Sequence, residues 1–463
     1  MQLCVSVIES VYRFLWGDLF QVPLGDGKVL GISLLVLLLL PTGLYFTIRT
    51  RALPIRKLKE MLRLTITSQE KTGGALSGFQ SLIVSTATRV GMGNLVGVVA
   101  AISAGGAGAI FWMWVTALIG SSTAYIEATL AQLYKEPDPL YGGYRGGPAY
   151  YIHAFVNRRR KKGKGARKSL LAVLFAVSGL ICWCGISQVI GNSVSTAFDN
   201  AFHIPPEVTT VLLVTLAAVI VLRKNATVKV LDILVPIMAG CYFFLTLFLI
   251  FKNITLLPGI FQRIFSEAFG LRQVAAGGFG AVLMNGVKRG LFSNEAGSGS
   301  APCSAAAAVC SHPAQMGLLQ AFGVLVDTIV ICTCTAMIML LAPEQQIAGL
   351  EGMDLLQMAM TWHLGSFGSI FIAVILWLFS FSTFIGILFY ARSNVAYLFG
   401  DSWVSQTAYK LLALLMLFIG GLAEYTVVWD LGDVGVGLMT IFNLIILYPL
   451  SKEALGALQE YEQ

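Results

Sequence analysis

Eleven apolar runs dominate this sequence, and they decide what the chain can become. They fall near residues 29–48, 76–103, 108–133, 169–200, 207–222, 228–251, 273–310, 315–342, 366–390, 408–423 and 426–450, separated by charged or Gly/Pro-rich breaks. A helix rises about 1.5 Å per residue, so about 20 residues cover the roughly 30 Å of a bilayer's hydrocarbon. No water is available there, and every backbone N–H and C=O must be satisfied inside the chain, which leaves helices as the form for such runs. The expectation is an all-α polytopic membrane protein of about eleven transmembrane helices. Of the 463 residues 56% are apolar and only 12% charged, about half the charged share of a soluble protein, so no soluble enzyme domain fits between the runs. The formal charge of +7 sits in short runs between apolar segments and marks topology, not a nucleic-acid surface. Residues 2–20, broken by Glu9, Arg13 and Asp18, read as an amphipathic surface helix. Residues 1–27 lack a cleavage pattern, so this stretch is expected to stay on the mature protein.

Basic residues orient the threading. The 49–63 loop carries Arg49, Arg51, Arg56, Lys57, Lys59 and Arg63, the 157–168 loop reads NRRRKKGKGARK, and 223–229 holds Arg223, Lys224 and Lys229. Eleven crossings put all three on one side, which the positive-inside rule makes cytoplasmic, with the N-terminus outside and the C-terminus inside. The 343–365 loop, with Glu344, Glu351 and Asp354 and no Lys or Arg, falls on the opposite side.

Two spans differ from the rest. Ser85 to Asn94 (STATRVGMGN) and Phe292 to Pro302 (FSNEAGSGSAP) put G-x-G, hydroxyls and a charged type at membrane depth, Arg89 in one and Glu295 in the other. From Gly91 to Gly297 they stand 206 residues apart, and each opens a block of five spans, so the second block is inverted relative to the first. Matched Gly-interrupted spans in inverted halves are the sequence sign of a secondary transporter's midplane site, because non-helical backbone is tolerated at that depth only where it lines a cavity or is buried in protein. The expected division is an N-terminal segment 1–72, repeats over 73–252 and 253–450, and a tail 451–463.

An interrupted helix offers two opposite poles. Freed N–H groups near Gly91 to Leu95 can hold a carboxylate, freed carbonyls near Ala87 to Val90 can hold a cation, and glycine lets a ligand reach the backbone. Sodium wants about five or six oxygens, and the adjacent hydroxyls Ser382 and Thr383 in the apolar 366–390 span are candidates for the rest. Arg89 and Glu295, or Glu295 with Arg289, are expected to form buried pairs that hold the unwound segments, and a proton-coupling role for Glu295 is the alternative. Only a few charges, chiefly these three, are expected to remain at membrane depth. Gln188 and Asn192, four apart on one helix face, either meet a substrate amino group or join neighbouring helices. The eight cysteines show no zinc spacing, and His153, His203, His312 and His363 form no cluster, so neither a metal other than sodium nor an enzyme or cofactor is expected.

The runs GFQSLIVSTATRVGMGNLVGVVAAI, GAIFWMWVTALIGSSTAYIEATLA, YGGYRGGPAYYI and KRGLFSNEAGSGSAP closely resemble the alanine/glycine:cation symporters (AGCS, or sodium:alanine symporters), sodium-coupled amino-acid carriers of bacterial and archaeal plasma membranes. The resemblance covers roughly residues 29–450. It implies the leucine-transporter-type fold, one extra helix before a five-plus-five inverted repeat. It also implies a sodium site from the carbonyls of Ala87, Val90 and Phe379 with the Ser382 and Thr383 hydroxyls. Gly91, Met92 and Gly93 would take a substrate carboxylate, and the backbone around Phe292, Ser293 and Asn294 the amino group or side-chain pocket. Family members commonly carry Thr where this chain has Met92, Trp where it has Ile387, and Gln where it has Ile190. Isoleucine in place of an indole leaves room for a longer neutral amino acid such as glutamine. The implied activity is sodium symport of a neutral amino acid by alternating access, with a proton-coupled carrier, or a channel or sensor on the same scaffold, as alternatives.

Overall fold

The computed structural model describes residues 2–25, 28–66, 76–77, 80, 82–84, 86, 89–159, 168–223, 228–270 and 278–463. Helices carry almost all of it. The surface helix α1 (Gln2–Trp16) is followed by an antiparallel hairpin, β1 (Asp18–Gly25) with β2 (Lys28–Ser33). The first span is α2 (Leu34–Arg49), capped by the Ser33 hydroxyl, which accepts the Val36 amide at 3.3 Å. Residues 29–33, expected within that span, are strand instead: Ser33 stops the helix and Gly31 lies against Gly280. Next come α3 (Val98–Gly105) with a preceding π-helical stretch (Arg89–Gly97), α4 (Gly108–Leu133), α5 (Leu170–Phe202), α6 (Pro206–Val221) and α7 (Val228–Lys252). Then follow α8 (Gly278–Asn294), the short α9 (Pro302–Ala307), α10 (Pro313–Leu340) with a π-helical stretch at Val326–Cys332, α11 (Ser366–Phe399), α12 (Trp403–Leu422) and α13 (Tyr425–Glu462). Among the described residues seven helices are long and apolar enough to cross a membrane, and Leu34–Arg49, Gly91–Gly105 and Pro206–Val221 are shorter apolar ones. The interrupted α8–α9 pair completes the eleven expected spans.

Ion pairs define the two ends. Arg56 and Lys57 reach Glu462, Arg158 reaches Glu453, and Tyr461 donates to Glu60 at 2.7 Å, so the described parts of the 49–63 and 157–168 loops share an end with the last three turns of α13. Arg263 binds Glu344 at the far end. At the basic end Leu76–Ser77 pairs in parallel with Ala308–Val309, tying the two interrupted segments together. The long α5 packs against α11, α12 and α13, and α4 against α8 and α10, so the interrupted segments sit inside a ring of continuous helices.

Candidate functional site

The first unusual segment is described continuously from Arg89, where it is a widened helix. Arg89–Gly97 winds as a π-helix, a form found mostly where function needs displaced backbone. Its glycines admit neighbours. A Cβ on Gly91 would lie 1.9 Å from the Thr383 hydroxyl and 3.3 Å from the Phe379 carbonyl. The Met92 amide donates to Thr383 Oγ1 at 3.2 Å, and the Gly91 amide to Asn94 Oδ1 at 3.3 Å. Ser382 donates to the Phe379 carbonyl at 2.8 Å. Backbone of the π-helix, a carbonyl and two hydroxyls of α11 are thus brought together. Ala87 lies outside the described residues, and Val90 is described in its backbone only.

The second segment is interrupted outright. α8 ends at Asn294, and Glu295, Gly297 and Gly299 take φ of 57°, 94° and 83° before Pro302 restarts a helix. For Glu295 that conformation costs roughly 1–3 kcal/mol, so the surroundings must hold it. Ser298 Oγ donates to the Glu295 carbonyl at 2.7 Å, the Ala296 amide to Asn294 Oδ1 at 3.0 Å, and the Gly297 amide to Glu127 Oε2 at 3.0 Å. Asn443 donates to the Gly297 carbonyl at 3.0 Å and to the Glu127 carboxylate, while Tyr151 donates to Asn443.

The two segments touch. A Cβ on Gly93 would meet Ser293 Cα at 3.3 Å and the Phe292 carbonyl at 3.4 Å. Asp327, fully buried in the π-helical stretch of α10, bridges them: it accepts from Asn94 Nδ2 at 2.8 Å, Ser293 Oγ at 2.7 Å and Thr328 Oγ1 at 2.9 Å. Among the described residues it makes no ion pair. A carboxylate held only by neutral donors at membrane depth is a favourable place for a passing cation.

Arg89 lies 3.9 Å from Glu295, which also accepts from Tyr390 at 3.3 Å, and Arg89 donates to the Gln320 carbonyl at 3.3 Å. Arg289 pairs with Asp433, not with Glu295. Two hydrogen bonds of 3.2 and 3.1 Å join them, Lys288 adds a third contact at 3.2 Å, and the guanidinium lies 3.9 Å from the centre of the Trp429 ring, itself edge-on to Phe292. The reason is direction: α8 runs from the far end, so Arg289 sits beyond Phe292 beside the start of α13, while Glu295 lies on the basic side.

Gln188 and Asn192 face α12 in this conformation. Gln188 reaches Met416 Sδ at 3.4 Å and Asn192 donates to the Ala423 carbonyl at 2.7 Å. Ile387 is buried on α11 one turn beyond Thr383, on the same helix face.

Sequence reasoning put three charges at membrane depth, and the structure buries more. Glu127, Lys288, Asp327 and Asp433 are all buried too. The signal was available, since an ionisable residue inside an apolar run is a site candidate by default. Glu127 and Asp327 lie in helical runs with no G-x-G beside them, and Asp433, although Gly435 and Gly437 follow it, stands in a continuous helix.

The sodium:alanine symporter family model matches residues 24–463. The chain is 43% identical over 432 residues to the probable sodium/glutamine symporter GlnT of Bacillus subtilis, covering 93% of this chain and 88% of that one. It is 40% identical over 461 residues to the amino-acid carrier protein AlsT of the same organism, covering 98% and 92%. It is 35% identical over 455 residues to the sodium/alanine symporter AgcS of Methanococcus maripaludis, covering 96% and 95%. In fold it resembles a manganese transporter of Eremococcus coleocola, with a TM-score of 0.51 and 14% identity, covering 82% of this chain and 78% of that one. With two interrupted helices meeting inside a ring of continuous ones, and with the family match running almost end to end, the chain belongs to the sodium:alanine symporter family, transporters built on the leucine-transporter-type fold.

Proposed function

We propose that the protein imports a neutral amino acid together with sodium by alternating access. The observation that carries this reading is the contact of Gly91 and Met92 with Phe379 and Thr383. It gathers the hard oxygens a sodium ion wants next to the backbone amides a carboxylate wants. Sodium bound by the Val90 and Phe379 carbonyls with the Ser382 and Thr383 hydroxyls would draw the π-helical segment onto α11. The substrate carboxylate would lie along Gly91 to Gly93, and its ammonium group near the Phe292 carbonyl. Asp327, hydrogen-bonded to both segments, supplies negative charge where two cationic groups must be held together.

Two closures flank that centre. On the far side stand Arg289, Asp433, Trp429 and Phe292. On the basic side stand Arg89–Glu295 and Glu127 with Gly297 and Asn443. Opening one while the other stays shut gives alternating access, and the basic end is assigned to the cytoplasm. Alanine and glycine are the expected substrate class, and Ile387 on the Thr383 face leaves glutamine as the longer candidate, in keeping with the name of the relative GlnT.

Replacing both Ser382 and Thr383 by alanine tests the assignment in proteoliposomes. Loss of two oxygen ligands at about 1 kcal/mol each predicts roughly a tenfold or greater rise in the sodium concentration for half-maximal uptake. Unchanged sodium dependence would remove these residues from the cation site. Uptake driven equally well by a proton gradient without sodium would favour the proton-coupled alternative, for which names such as the sodium/proton-dependent alanine carrier of Bacillus sp. give a reason.

A further inference from the structure

A cavity at the basic end is lined by none of the residues of the two unusual segments. It measures about 270 Å³ and opens where α2 ends against the last turns of α13, lined by Arg49, Thr50, Arg51, Arg56, Leu455, Leu458, Gln459 and Glu462. Three guanidiniums face one carboxylate there. That carboxylate is already taken, since Glu462 pairs with Arg56 and, at 3.2 Å, with Lys57. Among the described residues Arg49 donates only to a neutral group, the Tyr45 hydroxyl at 3.1 Å, and lies over the Tyr45 ring. The Arg51 side chain makes no hydrogen bond or ion pair among the described residues. Among the described residues the cavity therefore keeps an uncompensated positive charge, and two planar forks of N–H donors of the kind that grip a phosphate bidentately.

The turn that carries Arg51 is unusual. Arg51 and Ala52 have φ of 56° and 52°, two consecutive non-glycine residues in the left-handed region, a costly conformation that persists only where surrounding structure imposes it. Their amides fold back onto the Ile48 and Thr47 carbonyls at 3.0 and 2.8 Å. Apolar side chains flank the turn on both sides: Ile48 is 66% exposed and Ile55 78% exposed. Leu44, one helical turn before Ile48, is exposed as well. An exposed apolar strip running down α2 from a cluster of arginines is the pattern of a membrane–water interface.

We propose that this cavity binds the phosphate headgroup of an anionic phospholipid, with Arg49 and Arg51 as its principal donors and the acyl chains lying along Leu44 and Ile48. The exposed apolar strip selects a lipid over a free phosphate ion. The headgroup would bridge α2, which stands outside the paired repeats, to α13, the last helix of the second, so that the lipid fastens the extra helix to the transporter body. The proposal is independent of the transported substrate.

The test uses the full-length protein in detergent, titrated with short-chain phosphatidylglycerol, short-chain phosphatidylcholine or inorganic phosphate, with bound lipid counted by native mass spectrometry and unfolding temperature followed in parallel. Saturable binding of phosphatidylglycerol that stabilises the protein is expected, with neither effect from phosphatidylcholine or inorganic phosphate. Arg49→Ala with Arg51→Ala should weaken that binding about 25-fold, at about fivefold for each guanidinium near an anionic surface. Neutralising Lys161, Lys162 and Lys164 in the other basic run should leave it unchanged. Arg51→Gln alone, at an exposed position, serves if the double variant does not fold and should cost about fivefold. Equal lipid binding by the arginine variants and the wild type, loss of binding only in the 161–164 variant, or equal stabilisation by inorganic phosphate would each overturn the proposal.

Discussion

Thr383 shows how little space the centre leaves. Its hydroxyl occupies the volume a side chain on Gly91 would need, so Gly91→Ala should abolish uptake while the protein still reaches the membrane. Measuring surface expression and uptake on the same cells checks this, and normal uptake would mean that the contact is dispensable. Asp327→Asn keeps the shape of the bridge between Asn94 and Ser293 and removes its charge. The expected result is a sodium requirement raised about tenfold or more, in the range of coupling energies between ligands that share a site. An unchanged sodium response in a well-folded Asp327→Asn protein would take that carboxylate out of ion coupling. Residues such as Gly91, Gly93, Ser382 and Thr383 were legible because glycine and hydroxyl types stand out in an apolar run. Asp327 was harder to place: its partners Asn94 and Ser293 are 233 and 34 residues away, and nothing in its own span says which elements it joins.

At the scale of the element, the two interruptions are held in different ways. From Arg89 to Gly97 the first is wound as a π-helix, whereas the second breaks and passes its polar groups to Glu127, Asn443 and Ser298. The interruption of the second was readable from its glycines, but the π-winding of the first was not, because π and α windings accept the same residues. On the far side, Asp433 accepts from Arg289 and contacts Lys288. Removing one partner of a buried pair leaves uncompensated charge at a cost of roughly 3–5 kcal/mol. Asp433→Asn should therefore lower the unfolding temperature sharply, and Arg289→Gln added to it should recover part of the loss. No recovery in the double variant would mean that the pair is not the source of the cost. Across the centre, Glu295→Gln distinguishes two roles for the charge beside Arg89. Sodium-driven uptake that becomes insensitive to pH supports proton coupling through Glu295, and loss of folding or of uptake at every pH supports a structural pair.

The whole molecule was the most legible level. Each of the eleven hydropathy runs contains helix among the described residues, because in hydrocarbon run length dictates the element and the backbone has no alternative partner. What the runs did not announce is the pairing of Asp18–Gly25 with Lys28–Ser33, of which residues 18–20 read as surface helix and 29–33 as the start of a span, or the clamp of Trp16, which donates to the Asp433 carbonyl at 3.0 Å and ties the surface helix to the far-side ion cluster. The ring of continuous helices around two interrupted ones gives the molecule a single centre, and coupled transport makes a demand on that centre that a channel does not: concentration against a gradient. The decisive measurement is uptake of a panel of radiolabelled neutral amino acids, alanine, glycine and glutamine among them, into proteoliposomes with and without an inward sodium gradient. At least one of them should accumulate above its external concentration while the sodium gradient lasts and fall back to equilibrium when the gradient is dissipated. Equilibration without accumulation for every amino acid, or accumulation indifferent to sodium, would contradict sodium symport.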